Sequence, residues 1–171
     1  VGGQVVGLAR GKVNVSSGLV ALPLGPAARH IFRSGKGARM MGETAADRVV
    51  WSVTGAEALP FLQGLVSNDV LRLAKAPGLV WAALLTPQGK YLADFLIGRL
   101  ADGSLVIDIK DSLAAATLRR LGMYRLRADV QITPSPLTVQ RGLGAAPEGA
   151  LPDPRHPALG WRLYSPDAGA A

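Results

Sequence analysis

Between residues 79 and 100 the chain carries two apolar runs interrupted once, by Pro87-Gln88-Gly89, and no other feature restricts its fold as tightly. Each run has the length of a strand, and a break containing Pro and Gly suits a tight reversal. The pair therefore reads as an antiparallel hairpin, with strands over residues 79–86 and 90–100. Ala101-Asp102-Gly103 marks a second reversal, and residues 104–109 supply a third strand. A meander this apolar needs a cover on at least one face.

The flanking segments provide one. Residues 48–53 alternate as a strand, and Thr54-Gly55-Ala56-Glu57 has the spacing of a capping box, which predicts a helix to about residue 66. Leu59, Leu62 and Leu65 share its inner face, and Ser67-Asn68-Asp69 ends it in turn-forming side chains. Beyond the meander, Asp111 is placed to cap an Ala- and Leu-rich helix over residues 112–122, and residues 126–133 alternate as a closing strand. The order strand, helix, three strands, helix, strand predicts an α+β fold, a ferredoxin-like sandwich with one extra strand and its helices on one face.

Charge divides the chain. Residues 1–40 hold six basic side chains, no acid and eight of the 21 glycines, whereas residues 41–171 hold 13 basic and 12 acidic side chains. The net charge of +7 is thus concentrated in the first quarter, and a basic face on the folded part is not expected. Residues 1–40 read as a Gly-rich leader with little to bury. Met40-Met41-Gly-Glu-Thr resembles a natural start, an Arg-rich leader without acids also has the composition of a transit peptide, and a basic tail could bind nucleic acid. Residues 41–133 read as the folded domain, and the Pro-rich residues 134–171 as the opening of a second lobe, with strand-like pieces at 137–141 and 159–164. No apolar run approaches the roughly 18 residues of a membrane-spanning helix, so the sequence reads as that of a soluble protein.

Familiar chemistry is scarce. The chain has no cysteine, which excludes thiolate ligands, disulfides and a cysteine nucleophile within it. Gly7 to Lys12 falls one residue short of a phosphate loop, and Pro147 stands where the third glycine of a dinucleotide motif opening at Gly142 would be. His30 and His156 have no partners at metal-ligand spacing. Asp94 is the exception, a carboxylate inside the apolar strand Tyr91-Leu92-Ala93-Asp94-Phe95-Leu96-Ile97. Such a group faces solvent, holds a partner, or has a raised pKa; it either points off the far face of the sheet or meets a ligand in a cavity.

Three segments are similar, in order and spacing, to one family. Phe61-Leu62-Gln63-Gly64-Leu65-Val66-Ser67-Asn68-Asp69-Val70, Leu85-Thr86-Pro87-Gln88-Gly89-Lys90 and Tyr124-Arg125-Leu126-Arg127 resemble signature segments of the YgfZ-type folate-binding proteins. These proteins are related to the glycine-cleavage aminomethyltransferases and include a mitochondrial iron–sulfur assembly factor. The resemblance spans residues 49–130. It implies the first lobe of an aminomethyltransferase-like fold that binds tetrahydrofolate or a one-carbon derivative. The implied role is assembly or repair of iron–sulfur clusters and, through it, tRNA modification, with iron–sulfur proteins as partners, no membrane and no direct nucleic-acid contact. It also implies a cytoplasmic location, or the mitochondrial matrix if residues 1–40 are a transit peptide.

The same resemblance places Asp94 at the second of two adjacent aspartates that follow the glycine hairpin in aminomethyltransferases. Ala93 replaces the first, which weighs against glycine-cleavage chemistry. The turns at Asn68-Asp69 and Gln88-Gly89 are the further candidates for the cavity wall, although turn geometry alone would account for those residue types. The family's Lys-Gly-Cys-Tyr-x-Gly-Gln-Glu segment has no counterpart in these 171 residues. An aminomethyltransferase and a basic-tailed nucleic-acid-binding domain are the alternative readings.

Overall fold

The computed structural model describes residues 42–166; the leader and its three readings lie outside them. The elements are β1 (Glu43–Thr44), β2 (Arg48–Thr54), α1 (Ala58–Gln63), β3 (Gly78–Leu85), β4 (Tyr91–Arg99), β5 (Leu105–Lys110), α2 (Asp111–Arg125), β6 (Gln131–Pro134), β7 (Leu137–Gly142), β8 (Leu151–Pro152) and β9 (Trp161–Pro166). A five-stranded sheet runs β3-β4-β5-β2-β6, and each neighbouring pair is antiparallel. Without β3 this is the strand order of a ferredoxin-like sandwich, so β3 is the added edge strand.

Both helices cover one face. Ala58 and Leu62 of α1 and Ala114, Thr117 and Leu121 of α2 bury against Val53, Val80, Ala82, Phe95, Ile97 and Ile107. The other face is apolar too, and a four-stranded sheet in the order β1-β7-β9-β8 packs on it. Val50, Leu79 and Val106 from the first sheet meet Val139 and Tyr164 from the second. The Pro-rich stretch therefore contributes three strands to a sheet that shares a core with β2, β3 and β5.

Several local expectations turn out differently, the first two because a distant partner competes with a local one. Glu57 does not close a capping box. Its Oε2 accepts from the Asp129 N–H at 2.7 Å, while Asp129 Oδ2 accepts from Ala56 N–H at 3.0 Å and the Asp129 carbonyl from Glu57 N–H at 3.2 Å. This reciprocal clasp joins the entrance of α1 to the loop before β6. The helix then stops at Gln63, because the next residues pair with the free edge of β3: Val66 bridges Leu84, and Ser67 Oγ accepts from Ala83 N–H at 2.9 Å. Asp111 is the first residue of α2 rather than its cap, and the helix passes Gly122 to end at Arg125, so the last strand shortens to Gln131–Pro134.

Candidate functional site

Asp94 lies on β4, where alternation sends Ala93, Phe95 and Ile97 toward the helices and Asp94 and Leu96 to the opposite face. Asp94 remains half-buried there. Two aromatic donors hold it. Tyr91 Oη donates to Oδ1 at 2.6 Å, and Trp81 Nε1, from the neighbouring strand, donates to Oδ2 at 2.9 Å. The Tyr91 hydrogen bond keeps the carboxyl below its usual range; partial burial opposes this, while Trp81 and the charges of Arg48 and Arg155 assist. The Tyr91 hydroxyl is raised for the same reason, since losing its proton would forfeit the bond to Asp94. Asp94 is thus an ionised, immobilised acceptor, not the raised-pKa carboxyl that an apolar strand alone could suggest.

Trp81 and Tyr91 are 46% and 59% exposed, which is high for aromatic rings on a sheet face. The result is an open platform, a fixed carboxylate flanked by two aromatic faces. A carboxylate has about four lone-pair positions, so two donors leave room for a ligand N–H. The exposed rings can stack on a flat heterocycle. Asp94 lines none of the three main grooves, of about 640, 270 and 660 Å³.

The other candidates divide. Asn68 joins the platform indirectly: its Nδ2 donates to the Trp81 carbonyl at 2.9 Å, so it steadies the residue that holds Asp94. Asp69 Oδ1 accepts from Leu71 N–H at 3.0 Å and starts a short 3-10 turn. Gln88 and Gly89 form the β3–β4 reversal. Gly89 adopts φ +79° there, and its N–H donates to the Thr86 carbonyl at 2.9 Å. Among the described residues, no hydrogen bond links Asp69, Gln88 or Gly89 to Asp94. His156 Nδ1 accepts from Ala158 N–H at 3.1 Å and caps a 3-10 turn. No cluster of three or more potential metal ligands occurs among the described residues.

A second carboxylate, absent from the candidates above, anchors this face. Asp108, on β5, is fully buried. Its Oδ1 accepts from Arg48 Nε at 2.6 Å, and its Oδ2 from Arg162 Nη1 at 2.8 Å and Tyr164 Oη at 2.9 Å. Arg162, itself 2% exposed, passes the chain on by donating Nε to Asp153 Oδ2 at 2.8 Å, and Arg155 clamps both oxygens of Asp153 at 2.9 and 2.7 Å. Burial pushes the Asp153 carboxyl up, but the hydrogen bonds from Arg155 and Arg162 outweigh it and hold the carboxyl down, to about 2. Burial and the Asp108 charge push the Tyr164 hydroxyl well up. The relay Arg48–Asp108–Arg162–Asp153–Arg155 thus fixes the second sheet to the first, and its terminal arginines supply the positive charge that Asp94 experiences. The pattern Val-Ile-Asp-Ile in β5 was the available signal, an acid in an apolar strand like that at Asp94.

No family model matches the chain. It is 28% identical over 183 residues to the mitochondrial iron–sulfur cluster assembly factor IBA57 of Mus musculus, covering 84% of this chain and 51% of that protein. The corresponding Homo sapiens protein is 30% identical over 151 residues, covering 72% of this chain and 42% of the relative. The chain therefore spans about half the length of these relatives or less. Among solved structures, aminomethyltransferase T of the glycine cleavage system from Bartonella henselae superposes with a TM-score of 0.51 at 19% identity, over 57% of this chain and 27% of that one. That likeness concerns the fold. The chain is accordingly a relative of the IBA57 iron–sulfur cluster assembly factors, built on an aminomethyltransferase-like α+β fold.

Proposed function

We propose that the chain is the N-terminal part of a YgfZ-type protein that binds tetrahydrofolate, or a one-carbon derivative, and supports iron–sulfur cluster assembly or repair and, through it, tRNA modification. The observation that carries the reading is the Asp94 platform. An ionised carboxylate fixed by Tyr91 and Trp81 is suited to accept a hydrogen bond from a pterin N–H, and the Trp81 face to stack on the ring. The relatives named above support the iron–sulfur role. In this reading residues 41–133 form the first lobe, residues 134–171 lead into a second, and residues 1–40 are a leader outside the site. Iron–sulfur proteins are the partners, in the cytoplasm or, if residues 1–40 are a transit peptide, in the mitochondrial matrix; the relatives' names, which read mitochondrial, favour the latter. Ala93, at the position that the resemblance assigns to the first aspartate, carries no carboxylate and is buried under the helices.

The test is a titration of 5-formyltetrahydrofolate followed by tryptophan fluorescence, beside an Asp94→Asn variant. Trp81 is the expected reporter, because it touches Asp94 and is exposed, whereas Trp161 is buried. Saturable binding weakened about tenfold or more in the variant, the scale of one charge-assisted hydrogen bond, supports the reading. Full-strength binding by the variant would remove Asp94 from the site. Absence of binding by both this chain and the longer gene product would remove folate altogether.

A further inference from the structure

The segment Tyr124-Arg125-Leu126-Arg127 contributes nothing to the Asp94 platform, and its placement is unusual. Leu126 is 88% exposed and is the one non-glycine residue with positive φ, +45°, among those described. A branched apolar side chain in that conformation is a costly choice for a helix terminator. The preceding turn of α2 exposes Met123 at 67%. Between α2 and the sheet runs a groove of about 270 Å³ whose floor includes Leu84 and Leu92 and whose rim is Arg119, Arg120 and Met123. From residue 112 to residue 128 the chain carries four arginines and no acid. Among the described residues, Arg119, Arg120 and Arg127 make no ion pair. A stabilising interaction with the negative end of the helix dipole would account for Arg125, in the last turn. It does not account for Arg119 and Arg120, more than a turn earlier, or for the exposed Met123 and Leu126.

We infer that the C-terminal half of α2 is a docking surface for an acidic, amphipathic segment of a partner protein, which seats an apolar side chain in the Leu84–Leu92 groove while its carboxylates face Arg119 and Arg120. Charge complementarity selects the acidic partner, and the apolar floor selects protein over nucleic acid, whose phosphates have no use for Leu and Met. The groove's volume suits one or two side chains, so the contact is small and transient. The inference stands independently of folate binding, because the groove and the Asp94 platform share no residue.

The experiment uses the full 171-residue chain and a labelled synthetic helix of about 18 residues, with Leu at i, i+3 and i+4 spacing and Glu elsewhere. Saturable binding is expected, weakening with added salt. Arg119→Glu with Arg120→Glu should weaken it about tenfold or more, and Met123→Ser alone about threefold to tenfold. Backbone amide shifts of the unaltered chain should move at residues of α2, Leu84 and Leu92, a readout that needs no variant to fold. The inference is overturned by no binding, by equal binding of a peptide with Lys in place of Glu, by shifts that map elsewhere, or by single-stranded RNA displacing the peptide more tightly than it binds.

Discussion

Asp108 and Asp94 occupy similar sequence contexts, yet the structure assigns them very different energies, and Asp108→Ala compared with Asp94→Ala measures that difference. Removing the Asp108 carboxylate strands three donors at once: Arg48 Nε, Arg162 Nη1 and Tyr164 Oη. Arg162 and Tyr164 are buried at 2% and 8% exposure, so water cannot readily replace the lost acceptor. Removing one partner of a buried ion pair typically costs about 3–5 kcal/mol, a large share of the roughly 5–15 kcal/mol that holds a domain together. Asp94 is half-buried, and its donors, Trp81 and Tyr91, are exposed enough to bond water instead; its loss should cost about 1 kcal/mol or less. Urea unfolding monitored by circular dichroism and tryptophan fluorescence distinguishes the two. With a slope of about 2 kcal/mol/M, Asp108→Ala should lower the midpoint by about 2 M and Asp94→Ala by about 0.5 M or less. Equal midpoints, or a loss below about 1 kcal/mol at Asp108, would refute the view that the relay anchors the second sheet. A loss of ligand binding without a loss of stability at Asp94 would separate its role from that of Asp108.

Other consequences can be checked on the same material. The Asp153 carboxyl falls from an ordinary value of 3.8 to about 2 in the folded protein, so at intermediate pH the unfolded chain binds the extra proton. The stability it contributes is complete above about pH 4–5 and lost as pH falls toward 2. Asp153→Asn should therefore flatten the acid limb of a stability–pH profile by roughly 2 kcal/mol. A side chain on Gly142 would strike the buried Trp161 ring, whereas one on Gly122 of α2 meets nothing. Gly142→Ala should destabilise by about 1–3 kcal/mol and Gly122→Ala stabilise by about 0.5–1 kcal/mol, both read as urea midpoints. Glu57→Ala should cost about 1 kcal/mol by opening the clasp to Asp129, and the effect should not add to that of Asp129→Ala, since the two residues act as a pair.

The hairpin and the order of the main elements were legible in the residues alone, whereas helix ends and caps were not. The break at Pro87-Gln88-Gly89 dictated the β3–β4 hairpin, because only a tight reversal joins two strand-length apolar runs so closely. Alternation in β2 and the Ala- and Leu-rich run in α2 marked two further elements of the sandwich, and period-two alternation put Asp94 on the face away from Ala93. Burial of that far face was not legible. The sheet that covers it is assembled from residues 43–44 and 137–166, two of its strands are only two residues long, and pairing across about a hundred residues leaves no periodic trace. Glu57 shows the same limit, since its spacing from Thr54 fits a local cap and its carboxylate is spent on Asp129 instead. Only the tertiary structure decided which aspartate is an anchor and which an open site. An acid in an apolar strand takes its energy from what lies above it. Asp108 is enclosed by two arginines and a tyrosine, whereas Asp94 meets two exposed aromatic donors.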